Sequence, residues 1–147
     1  MALWFWFGLL ASVFWGITYV LFQYLLRYLN SFSIVFISST IVSIILFIYL
    51  LATHQWRAMI HDFFGNNKAI FAMLVYIACY FTATILIMKS IDQSNASTAA
   101  IIESSYPIFT MIFAYFILHE KQFNWGTIAG TAFIITGLAV IQYTAKV

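Results

Sequence analysis

Five long apolar runs, separated by short polar breaks, dominate this sequence of 147 residues. A helix that crosses about 30 Å of hydrocarbon needs roughly 20 mostly apolar residues, and each run is close to that length. The runs cover residues 3–26, 34–51, 69–88, 96–118 and 123–143. The sequence therefore predicts an all-α membrane protein, in which residues 1–147 form a single bundle of five transmembrane helices.

The charge content excludes several classes of protein. Only 7 % of the residues are charged, whereas a soluble domain carries about a quarter. A net charge of +2 is too small and too scattered to bind a phosphate backbone, so we expect no nucleic-acid partner. The histidines fall in loops or at a span end, and no catalytic triad, Cys-His pair or paired carboxylate is evident. We therefore expect neither an enzyme nor a metal or other cofactor.

The longest predicted loop, residues 53–68, has a helical pattern of its own. Trp56, Met59, Ile60, Phe63 and Phe64 recur at helical spacing, with His54, Arg57, His61 and Asp62 between them. This pattern is typical of a short helix that lies on the membrane surface, and Gly65-Asn66-Asn67 is expected to end it. His54 and His61 lack neighbouring ligands at metal-site spacing, so we interpret them as solvated polar residues.

Lysines and arginines divide evenly between the two sides of the predicted bundle. Arg57, Lys68 and Lys121 fall on the N-terminal side, and Arg27, Lys89 and Lys146 fall on the other. Since cations normally collect in the cytoplasm, this balance permits insertion in both orientations. The alternative is a single orientation with a cytoplasmic N-terminus, which the N-terminal amine and the histidines favour.

Polar residues recur along single faces of three predicted spans. The three faces consist of Ser12, Gly16, Tyr19 and Gln23; of Ser39 and Ser43; and of Tyr76, Tyr80 and Thr84. Lipid offers no hydrogen-bond partners, so such faces point toward other helices or toward a wet cavity. Helix-to-helix hydrogen bonding explains many of them individually. Because three spans each carry a polar face, we expect Tyr19, Gln23, Tyr76 and Tyr80 to line a substrate path.

The fourth run contains Glu103, the one charged residue inside a predicted span, about 10 Å along the helix from its start. An ionisable group at this depth costs a few kcal/mol to insert and is a functional candidate. No lysine or arginine lies at a similar depth, so the carboxyl group favours its protonated form until a cation or water stabilises the charge. Glu103 is therefore predicted to bind a proton or a cationic substrate.

Pro107 is the only proline and follows Glu103 by four residues. It has no N–H to donate to the Glu103 carbonyl, so a helix kink is predicted here. Tyr106 and Thr110 share the predicted Glu103 face and would add an aromatic ring and a hydroxyl to the site. The alternative is that a protonated Glu103 only bonds a neighbouring helix and the proline only shapes the bundle.

Small residues mark one face of the fifth run. Gly126, Gly130 and Gly137 lie on this face, and the first two have the spacing at which helices approach closely. The expected close packing is either within the subunit or between subunits.

The stretch from Asn95 to Ile141 resembles the closing part of an EamA-type repeat of the drug/metabolite transporter superfamily. The matching positions are Ala99, Pro107, Glu120, Gly130 and Gly137, and Trp15-Gly16 resembles a Trp-Gly pair of that family's first span. The resemblance implies transport, often export, of small metabolites, amino acids or drugs. Typical members contain two inverted five-span repeats, and this sequence contains one. The resemblance thus implies a homodimer, parallel or antiparallel, or a heterodimer with a related half-size transporter.

The leading hypothesis is a half-size transporter that exports or exchanges small molecules across a plasma membrane, the inner membrane in bacteria. Its expected partners are the lipid bilayer, a small-molecule substrate and a second half-transporter. The small multidrug resistance family is less similar, since its members have four spans and a carboxylate in the first. The alternative from another class is a non-transporting accessory or lipid-handling membrane subunit.

Overall fold

The computed structural model describes residues 3–121 and 124–144, and their regular structure is helical throughout. In chain order the α-helices are α1 (Leu3–Leu25), α2 (Ser31–Ala52), α3 (Trp56–Phe64), α4 (Asn67–Gln93), α5 (Ala96–Glu103), α6 (Tyr106–Phe113) and α7 (Trp125–Thr144). A π-helix, Ala114–Leu118, continues α6 directly.

The long apolar runs and the long helices correspond closely. Four segments are long and apolar enough to cross a membrane, and these are Leu3–Leu25, Ser31–Ala52, Asn67–Gln93 and Ala96–Leu118. The second begins three residues before the predicted run and the third ends five residues after it. In α7 the apolar part, Trp125–Ile141, is shorter, and residue 123 of the predicted fifth run lies outside the described residues. A multi-pass membrane protein is thus supported, and the fifth crossing stays a prediction.

Asparagine side chains mark where several helices begin. The Oδ1 atom of Asn30 accepts a hydrogen bond from the Ser33 N–H at 2.8 Å, and that of Asn95 accepts one from the Thr98 N–H at 2.9 Å. Asn66 does the same at α4 and Asn124 at α7. Each cap satisfies an N–H group that the first helical turn leaves without a partner. The polar residues between the apolar runs therefore do more than separate them, because their side chains cap the helices that follow.

The fourth apolar run is an interrupted helix. Regular α-helical structure ends at Glu103, a turn occupies Ser104 and Ser105, and α6 restarts with Pro107 in its first turn. Around the turn the bonds tighten to three-residue spacing, as where the Ile108 N–H donates to the Ser105 carbonyl at 3.1 Å. A proline is tolerated at a helix start because the first turn does not need its N–H, but in mid-helix its ring crowds the carbonyl four residues earlier. The predicted span is therefore divided next to Glu103.

Histidines with a left-handed backbone conformation follow two of the helices. His119 follows the π-helix with φ 57°, and His54 follows the end of α2 with φ 55°. Residues other than glycine rarely adopt this backbone conformation, although histidine adopts it more often than most. Helix α3 ends at Phe64, directly before Gly65, as predicted, and Gly65 has an ordinary right-handed backbone with φ −76°.

The predicted short helix between the second and third runs is present as α3 and packs against α4. Trp56 and Phe63 are half-buried, while Met59, Ile60 and Phe64 stay exposed. The helix thus has one line of aromatic residues against the protein and apolar flanks on either side.

The described chain divides into two compact units. One contains the described parts of Met1–Val20 and Ser94–Val147, and the other contains Leu21–Gln93. Buried apolar side chains are few in each: Tyr19, Ala96, Ala99 and Ala114 in the first, and Ile34, Ile85, Met88 and Ile91 in the second. Most large apolar side chains are exposed on the described surface. Such a surface is unsuited to water and suits contact with lipid or with other helices.

Candidate functional site

A groove between α1 and the α5–α6 region contains the charged residue of the fourth run. Its volume is about 460 Å³. Helix α1 contributes one wall, and α5, the turn and the start of α6 contribute the other. The lining residues are Ser12, Trp15, Gly16, Tyr19, Ala100, Glu103, Ser104 and Tyr106. Three residues of the polar face predicted on the first span therefore meet Glu103.

Glu103 is the last residue of α5 and opens onto this groove. Within residues 3–121 and 124–144, its carboxylate makes no hydrogen bond or ion pair. The carbonyl group of Glu103 also lacks its usual helical donor, because residue 107 is a proline. The break in the helix thus places two kinds of acceptor, a carboxylate and a backbone carbonyl, at the same position.

The serine hydroxyl groups that line the groove with Glu103 donate their protons to backbone carbonyl groups. Ser12 donates to the Gly8 carbonyl at 3.0 Å, and Ser104 donates to the Ile101 carbonyl at 2.5 Å. A serine oxygen that donates its proton within its own helix still offers two lone pairs. Both serines can therefore accept hydrogen bonds in the groove, which makes this part of the wall rich in acceptors.

Aromatic rings complete the wall. Trp15 and Tyr19 lie one helical turn apart, with ring centroids 6.3 Å apart and planes tilted by 56°. Tyr19 is only 6 % exposed and forms a fixed part of the groove, whereas Tyr106 is largely exposed. Aromatic faces attract cations that lie within about 6 Å of the ring centroid. Together with the acceptors, these rings form a site chemically suited to a small organic cation that carries N–H groups.

Four other predicted site residues lie elsewhere. Thr110 lines a different groove, which it shares with Tyr106, and its hydroxyl donates to the Tyr106 carbonyl at 3.1 Å. Gln23, Tyr76 and Tyr80 belong to the unit Leu21–Gln93. Within that unit the rings of Tyr76 and Tyr80 are stacked, with centroids 6.0 Å apart and an angle of 20° between planes. The predicted site residues thus lie in the Glu103 groove, in the groove of Thr110 and in the unit Leu21–Gln93.

Five groove residues were not selected from the sequence as site residues. Ser12 and Gly16 were placed on the polar face of the first span. Trp15 was noted only as part of the Trp-Gly pair, and Ala100 and Ser104 were not singled out. Ala100 precedes Glu103 by three residues and therefore lies on its helical face, so helical spacing could have identified it. Ser104 reaches the groove because the helix ends beside it, which no spacing rule predicts.

The glycines of the last helix do not contact another helix within the described chain. A Cβ atom built at Gly130 or Gly137 would have no neighbouring atom within 4 Å, and one at Gly126 would meet only the Asn124 side chain at 3.2 Å. Close packing at these glycines inside the subunit is therefore not found. A contact between subunits stays a prediction.

A groove of about 360 Å³ lies near α7 and differs in chemistry from the first. Its lining is almost entirely apolar and consists of Ile108, Met111, Ile112, Tyr115, Phe116 and Ile128. The described residues contain no group of three or more His, Cys, Asp or Glu side chains that could hold a metal ion.

Comparison with known proteins identifies the family. The model of the EamA-like transporter family matches residues 2–143, which include every residue of the Glu103 groove. Neither a curated protein nor a solved structure matches the chain. The match covers nearly all of the 147 residues. This multi-pass membrane protein therefore belongs to the EamA-like transporter family of the drug/metabolite transporter superfamily.

Proposed function

We propose that this protein carries small organic cations, such as protonated amines and cationic drugs, across the membrane and binds them in the Glu103 groove. The observation that carries the proposal is the placement of Glu103 among Ser12, Ser104, Trp15 and Tyr19. The carboxylate supplies the charge, the two serine oxygens accept N–H groups, and the rings cover apolar parts of the substrate.

The energetics of insertion favour a ligand of opposite charge. A carboxylate at the centre of a helix in a bilayer costs about 3 kcal/mol, and no cationic side chain offsets this cost at Glu103 among the described residues. A proton or an organic cation would offset it. Since one carboxylate holds either a proton or a substrate cation, binding of one releases the other. We therefore propose that the protein exchanges protons for its substrate, with export as the productive direction.

We also propose that two five-helix repeats form the working transporter. Tyr76 and Tyr80 lie near the middle of α4 and are 60 % and 52 % exposed. Their hydroxyls would have no partner in hydrocarbon, so this face belongs against a polar path or a second repeat. Many transporters bind substrate between two inverted repeats, and an antiparallel homodimer of this chain reproduces that arrangement. A heterodimer with a related half-transporter would do so as well.

The carboxylate can be tested in proteoliposomes with an imposed proton gradient. We expect uptake of a cationic dye, and we expect Glu103→Gln to lower its rate about ten-fold or more, as follows from the loss of about 1.5 kcal/mol of charged hydrogen bonding. Asp92→Asn is the matched control, because Asp92 is exposed near the end of α4 and does not line the groove. It should retain the rate of the unmodified protein.

The outcomes separate the competing functions. Equal dye transport by Glu103→Gln and by the unmodified protein would remove Glu103 from the mechanism. Transport of neutral metabolites or amino acids, with no transport of cations, would contradict the proposed substrate class. If no class of compound is carried by well-folded protein, the transport proposal is wrong and an accessory or lipid-handling role replaces it.

A further inference from the structure

Helix α3 has an apolar surface that the protein covers only in part. At about 100° per residue, its five apolar residues occupy one side of the helix. Trp56 and Phe63 run along the middle of this side and are half-buried where α3 packs against α4. Ile60 and Phe64 lie to one side of that line and are 43 % and 68 % exposed. A strip of apolar surface thus lies open along one edge of the helix.

The connections of α3 keep it close to a bilayer. Three residues, Thr53–Gln55, join it to α2, and two residues, Gly65 and Asn66, join it to α4. Since an extended residue spans at most about 3.6 Å, these links reach roughly 11 Å and 7 Å. Both neighbours are candidate membrane spans and pack against each other. If α2 and α4 cross the membrane, these short links hold the strip near the lipid headgroups, where lipid is the material available to cover it.

The basic and acidic side chains of α3 lie on different sides of the helix. Arg57 and His61 are four residues apart and border Ile60 and Phe64, whereas Asp62 lies on the far side of the helix. The Arg57 guanidinium carbon lies 5.3 Å from the centre of the Trp56 ring, which holds the cation beside the apolar strip. His61 and Asp62 approach to 3.3 Å, so Asp62 is directed to His61. Among the described residues, Arg57 therefore has no acidic partner on this edge of α3.

We propose that this edge of α3 is a binding site for an anionic phospholipid. Arg57 binds the phosphate of a headgroup that carries no compensating cation, and Ile60 and Phe64 contact the upper part of an acyl chain. A guanidinium group presents a planar fork of donors that matches phosphate oxygens. The apolar strip distinguishes a lipid from free phosphate, which has nothing to place there. The proposed lipid site shares no residue with the Glu103 groove and does not depend on the transported substrate.

Native mass spectrometry of the full-length protein in detergent tests the proposal with two defined probes, phosphatidylglycerol and phosphatidylcholine. We expect phosphatidylglycerol to bind more tightly, and Arg57→Gln to weaken its binding about five-fold, the change expected for one cation near an anionic headgroup. Arg57→Lys should bind the lipid more tightly than Arg57→Gln, because it keeps the charge, but less tightly than the unmodified protein, because it lacks the guanidinium fork. Phe64→Ser should weaken binding without changing the charge.

Arg27→Gln is the matched control, since Arg27 follows α1 and lies outside α3. We expect it to leave phosphatidylglycerol binding unchanged. Equal affinity for both lipids, or equal weakening by Arg27→Gln and Arg57→Gln, would overturn the proposal. Displacement of the lipid by excess inorganic phosphate alone would also overturn it, because the headgroup would then be sufficient. Helical content measured by circular dichroism confirms that each variant is folded.

Discussion

Gly16 keeps the Glu103 groove open. It belongs to the α1 wall, and a Cβ atom at this position would have no neighbour within 4 Å. Gly16→Phe should therefore fold normally while its ring fills space that a substrate needs. We expect the variant to lower the rate of cation transport in proteoliposomes by about ten-fold, equivalent to about 1.4 kcal/mol of lost binding.

Gly8 provides a matched control for this substitution. It lies two turns earlier on α1, is equally free of neighbours within 4 Å, and does not line the groove. Gly8→Phe should keep the transport rate of the unmodified protein. If both variants reduce transport equally, the effect comes from changes in α1 as a whole, and the assignment of the groove fails.

At the scale of the helices, the adjacent asparagines before α4 have different roles. The Asn66 side chain accepts hydrogen bonds from the Lys68 and Ala69 N–H groups at 3.0 and 3.3 Å, while Asn67 begins the helix itself. Loss of a capping side chain costs about 1 kcal/mol. Asn66→Ala should therefore lower the free energy of unfolding by about that amount.

The measurement compares the two neighbouring positions by thermal unfolding in one detergent. We expect Asn67→Ala to cost less than half as much as Asn66→Ala, and Asn66→Asp to keep most of the stability because a carboxylate also caps. Equal losses at both positions would show that the cap does not stabilise α4.

At the scale of the whole molecule, the even division of cations leads to a test of the antiparallel dimer. With five crossings, Lys68 and Lys89 lie on opposite sides of the membrane. We expect the unmodified protein to insert in both orientations. Lys68→Gln should increase the fraction with a cytoplasmic C-terminus, and Lys89→Gln should decrease it, because each substitution removes one cation from one side.

C-terminal fusions to green fluorescent protein and to alkaline phosphatase report the two orientations. Fluorescence should rise and phosphatase activity should fall in Lys68→Gln, with the reverse in Lys89→Gln. A single orientation that neither substitution changes would exclude the antiparallel homodimer and leave a parallel or heteromeric pair.

Much of the element order was predictable because helix formation in a membrane is a local requirement. Backbone groups in hydrocarbon must bond within their own helix, so an apolar run of sufficient length has few alternatives. That reasoning located α1, α2 and α4 to within a few residues, and the amphipathic spacing of Trp56 and Phe63 located α3. The helix starts at Asn30 and Asn95 were also readable, since asparagine is a favoured capping residue.

The groove was predictable only in part. Helical spacing placed Ser12, Gly16 and Tyr19 on one face, and the rarity of charge singled out Glu103. Spacing also assigned Thr110 to the face of Glu103, but Thr110 lines a different groove, and the turn at Ser104 and Ser105 interrupts the helix between the two residues. Periodicity applies only while the helix is continuous, and Pro107 follows this interruption.

The amino-acid sequence alone indicated a helical membrane protein of this family, its long helices and Glu103 as the charged residue inside a predicted span, since all of these depend on local composition and spacing. Only the tertiary structure decided which side chains share a groove with Glu103, that Thr110 does not, and that Gly130 and Gly137 have no close neighbour in the described chain. These features depend on how helices distant in sequence pack together. Packing of this kind follows from shape in three dimensions and leaves no periodic signal along the chain.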